Sequence, residues 1–246
     1  MTNRGRFIED MAWPDIADAF AKKMPILIPI GAHAKEHGFH LPMNNDFLLA
    51  RKLAEAIADK LPILIAPVIG FGYYPAFRHY PGSQHLKMQT FIALLTDLIE
   101  NYIDQGNDNI ALLNTGYSTE GPIGYVLDDL LRRRGSKIFC ADIRRIGKNT
   151  RRLITQKKGS HADEYETSIM LYLTPEKVDM NLAQPDYGDE PDEPIFRQAV
   201  QLDTKTGAFG DPTLATKEKG KLFFEAQIED LIDGLKQIFS FNTLHI

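Results

Sequence analysis

The chain has 246 residues, 43% of them hydrophobic, and a formal net charge of -5. That length holds one large domain or two small ones, and the absence of a basic excess speaks against nucleic acid and an anionic membrane surface as partners. Cys140 is the only cysteine, which excludes an intrachain disulfide and a cysteine-based zinc cluster.

Cys140 lies in the apolar stretch Lys137–Ala141, where a packed thiol is expected rather than a nucleophile. Residues 1–12 are polar and charged and lack the pattern of a signal peptide. No apolar run approaches the roughly 20 residues that span a bilayer. A soluble, cytoplasmic protein is expected.

In chain order, residues 13–23 read as a short amphipathic helix, with Pro14 in a first turn that tolerates it. Residues 25–30 form a buried strand. Residues 46–60 form a helix in which Leu48, Leu49, Leu53, Ala56 and Ile57 recur at helical spacing and Asp46 can cap the start. A second strand is predicted over 62–70, followed by a loop over 71–87 rich in aromatics, Gly and Pro and long enough to be functional. A helix over 88–104 leads to a third strand over 109–114. The helix over 121–134 ends in Arg132-Arg133-Arg134, favourable at a helix C-terminus. A fourth strand covers 136–142, and a helix covers 162–173. Residues 183–213 are irregular and acidic, the stretch Asp186 to Glu193 being read as a loop. A final helix covers 215–240. Strands alternating with helices at this spacing predict a mostly parallel sheet wrapped by helices, in one domain over 1–246.

Four segments could carry chemistry. The loop Lys35-Glu36-His37-Gly38-Phe39-His40-Leu41-Pro42-Met43-Asn44-Asn45-Asp46 brings together imidazole and carboxylate, the ligand set of zinc, manganese or iron. It follows a buried strand, where α/β folds place their sites. A polar turn built on Gly38 is the other reading. Asn114 to Pro122 is a turn of small hydroxyl residues entering a helix. Such a helix start can hold an anion or a developing oxyanion, or Ser118 or Thr119 simply caps it. His161 to Leu171 places a histidine beside Asp163, Glu164 and Glu166, suited to proton transfer or metal support; a capped, solvated helix start is the alternative. Gly207 to Gly220 reads as structural, with Thr213 or Thr216 as a cap. The aromatic loop Tyr73 to Ser83, with Tyr74 and His79, could line a substrate pocket or form an interface patch.

Taken in order, these pieces resemble the creatininase (creatinine amidohydrolase) family over nearly the whole chain. The resemblance runs through Trp13-Pro14, Pro29-Ile30-Gly31, the His37-Gly38-Phe39-His40-Leu41-Pro42…Asp46 loop, Gly72-Tyr73 and Tyr80-Pro81-Gly82-Ser83. It continues in His161…Glu166-Thr167-Ser168-Ile169-Met170-Leu171 and Gly210-Asp211-Pro212-Thr213-Leu214-Ala215. It implies a three-layer α/β/α fold, a hexamer, and hydrolysis of amide-type C–N bonds in small ring or formamide substrates, usually with two divalent metals. It also implies His37 as a metal ligand, Asp46 as a bridging ligand and His161 as a proton shuttle.

The chain departs from that pattern in three places. The family's Glu two residues before the metal histidine is Lys35 here, with Glu36 next to His37 and His33 as the possible substitutes. The family's Asn-Gly-His reads Asn114-Thr115-Gly116, without the imidazole. A further family Glu falls on Ser118, with Glu120 close by. The expectation is a metal-dependent amidohydrolase of a divergent branch, acting on a small cyclic amide or formamide-like molecule. One or two divalent ions (Zn, Mn or Fe) per chain would be held by Glu36, His37, Asp46 and Glu120. His161 would move the proton, oriented by Glu164 or Glu166, and Tyr117, Ser118, Tyr74 and His79 would contact the substrate. The expected partners are that small molecule and further copies of the chain, with no nucleic acid and no membrane. The alternative is a metal-free relative that binds a small polar ligand through Lys35, Ser118 and Thr119.

Overall fold

Five short strands, β1 (Arg6–Phe7), β2 (Ile26–Ile30), β3 (Leu64–Ile65), β4 (Ile110–Asn114) and β5 (Phe139–Asp142), form one sheet in the computed structural model, which describes residues 4–188 and 204–241. Their order is β1-β3-β2-β4-β5 and every pairing is parallel. β2 and β4 are buried along their whole length, as parallel strands covered on both faces must be. The strand predicted over 62–70 contracts to Leu64–Ile65. Pro62 and Pro67 flank it and have no N–H for the ladder, and the chain rejoins β2 only through an isolated bridge from Ile30 to Ile69. β1 was not expected, because two residues carry no readable period.

Four α-helices among the described residues connect the strands, α1 (Trp13–Ala21), α2 (Asn45–Ala58), α3 (Met88–Asp104) and α4 (Glu120–Arg134), and α5 (Glu164–Leu173) and α6 (Lys217–Ile238) follow β5. Alternation along the strands divides the core in two. Leu27, Ala111 and Leu113 face Leu53 and Ile57 of α2, Ile169 of α5 and Phe223 of α6. Ile26, Ile28, Ile110 and Leu112 face Phe20 of α1, Phe91 and Leu95 of α3, and Val126 of α4. This is the expected three-layer α/β/α architecture. α4 stops where Gly135 turns left-handed, at φ 69°, and Thr216 caps α6 by accepting from the Lys219 N–H at 3.2 Å. From residue 189 onward the acidic stretch Asp186 to Glu193 lies outside the described residues. No helix among the described residues is long and apolar enough to cross a membrane.

The topology fixes where a ligand can bind. β2 leads through α2 to β3 on one side of it, and β4 leads through α4 to β5 on the other. The strand order reverses between β2 and β4, so a crevice opens at their C-terminal ends. Gly31 ends β2 against the first turn of α2: a Cβ there would overlap the Asp46 carbonyl. That close approach brings the Asp46 side chain to the crevice.

Candidate active site

The loop after β2 folds back on itself, with the Lys35 N–H donating to the Met43 carbonyl at 2.9 Å. His37 is fully buried. Its Nδ1 donates to the Lys35 carbonyl at 2.8 Å and its Nε2 faces Asp46 Oδ1 at 2.9 Å. Lys35 Nζ lies 2.6 Å from Asp46 Oδ2. Burial alone would raise the Asp46 carboxyl. The charges of Lys35 and His37, and their hydrogen bonds, outweigh it and hold the group well below the usual carboxylate range. Asp46 does not cap α2, as its spacing had predicted; the N-cap position is Asn44, and the Asp46 carboxylate is taken by the ion pair.

α5 supplies the other wall. Asp163 caps it, accepting from Tyr165 N at 3.0 Å and Glu166 N at 3.1 Å. Ala162, just before the cap, holds the left-handed φ of 46°, a strained value for a residue with a Cβ. That twist aims the Ala162 N–H at Glu166 Oε2, 2.7 Å away. His161 is held from behind by residue 209, with Phe209 N donating to His161 O at 2.8 Å. Its Nε2 lies 3.1 Å from Glu36 Oε2 and its Nδ1 3.9 Å from Glu166 Oε2. The rings of His37 and His161 are 4.8 Å apart, and Phe77 covers His161 at 4.2 Å. Burial pushes the His161 imidazole down to about 4, against the hydrogen bond with Glu36 that favours the charged form. Burial likewise pushes Glu166 up to about 7, against the positive charge of His37. His40, bonded to Thr167 Oγ1 at 2.7 Å, is lowered by burial to about 4.

Lys35 and Asp46 line the floor of a narrow cleft whose walls include Tyr74, Tyr117 and Ser118. Tyr74 reaches the cleft with its ring, while its hydroxyl donates to the Gln84 carbonyl, with the Ala34 carbonyl 3.4 Å away, and ties the two loops together. The Arg144 guanidinium lies 5.4 Å from the Tyr117 ring centre, and Thr119 closes the turn by donating to Asn114 Oδ1 at 2.7 Å.

Several expected residues stand elsewhere. The Glu120 carboxylate is bound by Arg144 and Arg145, which removes it from the expected ligand set. Glu164 points away from His161; its carboxylate accepts from Thr155 N and Gln156 N at 2.7 Å and pairs with Lys219, so it clamps loop to helix instead of orienting the imidazole. His79 is exposed and stacks on Tyr80 at 4.2 Å, outside the cleft lining. His33 is exposed and packs edge-on against Phe47. Glu36 is in the cluster, but it contacts His161 and the Gly38 N–H. The left-handed Gly207, at φ 82°, was not singled out within its block. A Cβ there would overlap the Glu36 carboxylate, so the glycine lets the two segments close on each other.

The donor chemistry fits one divalent ion. His37, His161 and Glu166 each offer a ligand atom within 4.8 Å of the others. Each histidine has one ring nitrogen fixed by an outer oxygen, Lys35 O for His37 and Glu36 for His161. That outer-shell pattern leaves Nδ1 of His161 for a metal, whereas Nε2 of His37 faces Asp46 Oδ1 at 2.9 Å and would exchange that contact for the ion. Three protein ligands and an open position make a catalytic site. A second ion beside Asp46 does not fit, because Lys35 Nζ is already on Oδ2.

Against known proteins, a family model described as creatininase, creatinine amidohydrolase, matches residues 9–235. The chain is 25% identical to creatinine amidohydrolase of Pseudomonas putida over 95% of its own length and 97% of that protein's. It is 24% identical to a mycofactocin precursor peptide peptidase of Mycobacterium tuberculosis over 89% of each chain. Among solved structures, a manganese form of creatininase superposes with a TM-score of 0.83 at 23% identity, over 95% of this chain and 98% of that one.

Proposed function

This chain belongs to the creatininase family, and we propose that it is a hydrolase of the carbonyl–nitrogen bond in a small polar amide bound above Lys35 and Asp46. The observation that carries the reading is the convergence of His37, His161 and Glu166 beside a small cleft. The net reaction adds water across the bond: the carbonyl carbon gains the oxygen, and the nitrogen leaves with a proton. His37, His161 and Glu166 would hold one divalent ion, which when bound would polarise the carbonyl and lower the pKa of a water. His161 is thereby assigned to the ligand set rather than to proton transfer, since Glu36 takes its Nε2. Glu36 orients that ring, the Lys35 carbonyl holds Nδ1 of His37, and Tyr74 and Tyr117 keep bulk water from the cleft.

The narrowness of the cleft favours a small cyclic amide or formamide-like molecule over a folded protein. The peptidase among the relatives makes short peptides part of the substrate screen. We also propose a homo-oligomer, supported by the exposure of Trp13, Phe71 and Tyr125 on the chain. The test is metal content and amide hydrolysis of wild type and His37→Ala. The variant is expected to lose the bound ion and at least a hundredfold in kcat together. Full metal content and turnover in the variant would overturn the assignment.

A further inference from the structure

Lys35 is a buried ammonium that the proposed chemistry leaves unused. Its side chain is 8% exposed at the floor of the cleft. Asp46 Oδ2 lies 2.6 Å from Nζ, and the other oxygen of the same carboxylate faces His37 Nε2 at 2.9 Å. One carboxylate therefore joins two positions, the donor cluster on Oδ1 and the ammonium on Oδ2. An ammonium has three N–H donors, and among the described residues no oxygen other than that of Asp46 is within bonding reach of Nζ. The Phe77 ring centre, 5.0 Å away, covers one side. Two donors are left for whatever enters the cleft.

A buried charge persists only when paired. Lys35 is paired on the one oxygen that a second ion would need. Divalent ions sit about 2.0–2.6 Å from a carboxylate oxygen, so an ion there would lie against the ammonium, with no water between to screen the repulsion. We infer that Lys35 is a resident cation: it occupies the second cation position of the centre, limits the chain to one divalent ion, and keeps a fixed positive charge facing the substrate carbonyl. A preorganised donor of that kind stabilises developing negative charge without reorganising during the reaction. The substrate half of the inference rests on the hydrolase reading above; the limit on ions does not.

The test is metal stoichiometry by plasma mass spectrometry after equilibration with excess zinc or manganese and desalting. Wild type, Lys35→Glu, Lys35→Gln and Lys35→Arg are compared. Lys35→Glu removes the cation and adds a carboxylate two residues before His37; it is expected to retain about one more ion per chain than wild type. Lys35→Arg keeps the charge and should retain no more than wild type. Lys35→Gln frees Asp46 Oδ2 without adding an acid, and stands in if Lys35→Glu does not fold; its melting temperature should rise with added zinc by more than that of wild type. The increment reads the inference, and the wild-type count reads the proposed function. A count of zero in wild type with one in Lys35→Glu supports the resident cation and overturns the one-ion hydrolase. Two ions in wild type, or no increment in a folded variant, overturns the resident cation and leaves the hydrolase standing.

Discussion

Glu164 and Glu166 sit two residues apart at the start of α5 and do different work. Glu164 is fully buried and accepts from Thr155, Gln156 and Lys219, whereas Glu166 turns into the histidine cluster. Glu164→Gln leaves Lys219 without its charged partner and is expected to cost about 3 kcal/mol of stability, with metal content per folded molecule unchanged. Glu166→Gln should reverse the pattern, keeping most stability and losing metal. Thermal melts paired with metal analysis separate the two, and equal metal loss in both variants would make Glu164 part of the site. Gly207→Ala is expected to displace the Glu36 carboxylate and release the His161 ring, with a 10–100-fold loss of metal affinity, read by competition with a chelator. The motif around His161 was readable as a site, but which acid served it was not: residues that share a first helical turn differ in partner only through what packs on each side.

At the scale of elements, the site is where the loop after β2, the start of α2 and the start of α5 meet. The hydrophobic runs of β2 and β4 were legible, because buried parallel strands read as continuous apolar segments. The helices were legible from their period and fall close to their predicted ranges. What periodicity could not carry was the closeness of α2 to β2, which depends on Gly31. Gly31→Ala forces the Asp46 carbonyl away and tilts the first turn of α2. The expected result is a loss of about 1–3 kcal/mol, typical of an overpacked contact, together with a weakened Lys35–Asp46 pair. A denaturant titration with unchanged m-value and a lower midpoint would report it; an unchanged midpoint would show that the contact can relax.

For the whole molecule, the buried imidazoles set the response to acid. His40 has its pKa lowered from 6.5 to about 4. Its contribution to stability is complete above pH 6.5 and is lost as pH falls through 4, up to about 3 kcal/mol. His161 acts in the same direction. Glu166 acts oppositely: its carboxyl is raised from 4.5 to about 7, so its contribution is present below pH 4.5 and fades as pH rises through 7. Metal-stripped protein is therefore expected to melt at progressively lower temperature from pH 6.5 to pH 4, and His40→Gln should flatten that slope. An identical slope in the variant would remove His40 from the account.

Local order along the chain was sufficient for a parallel sheet wrapped by helices, for the buried strands β2 and β4, and for the loop that carries His37, because side-chain period and strand burial act over a few residues; it missed the two-residue β1. The same order located His161 and its acids, and the departure at Lys35. Only the tertiary structure decided the partners. Glu36 meets His161 across 125 residues of chain, Arg144 and Arg145 withdraw Glu120, and Lys35 settles on Asp46 where a carboxylate ligand was sought. Charge pairing is a contact between segments brought together by folding, and no spacing within either segment encodes which charge the other will present.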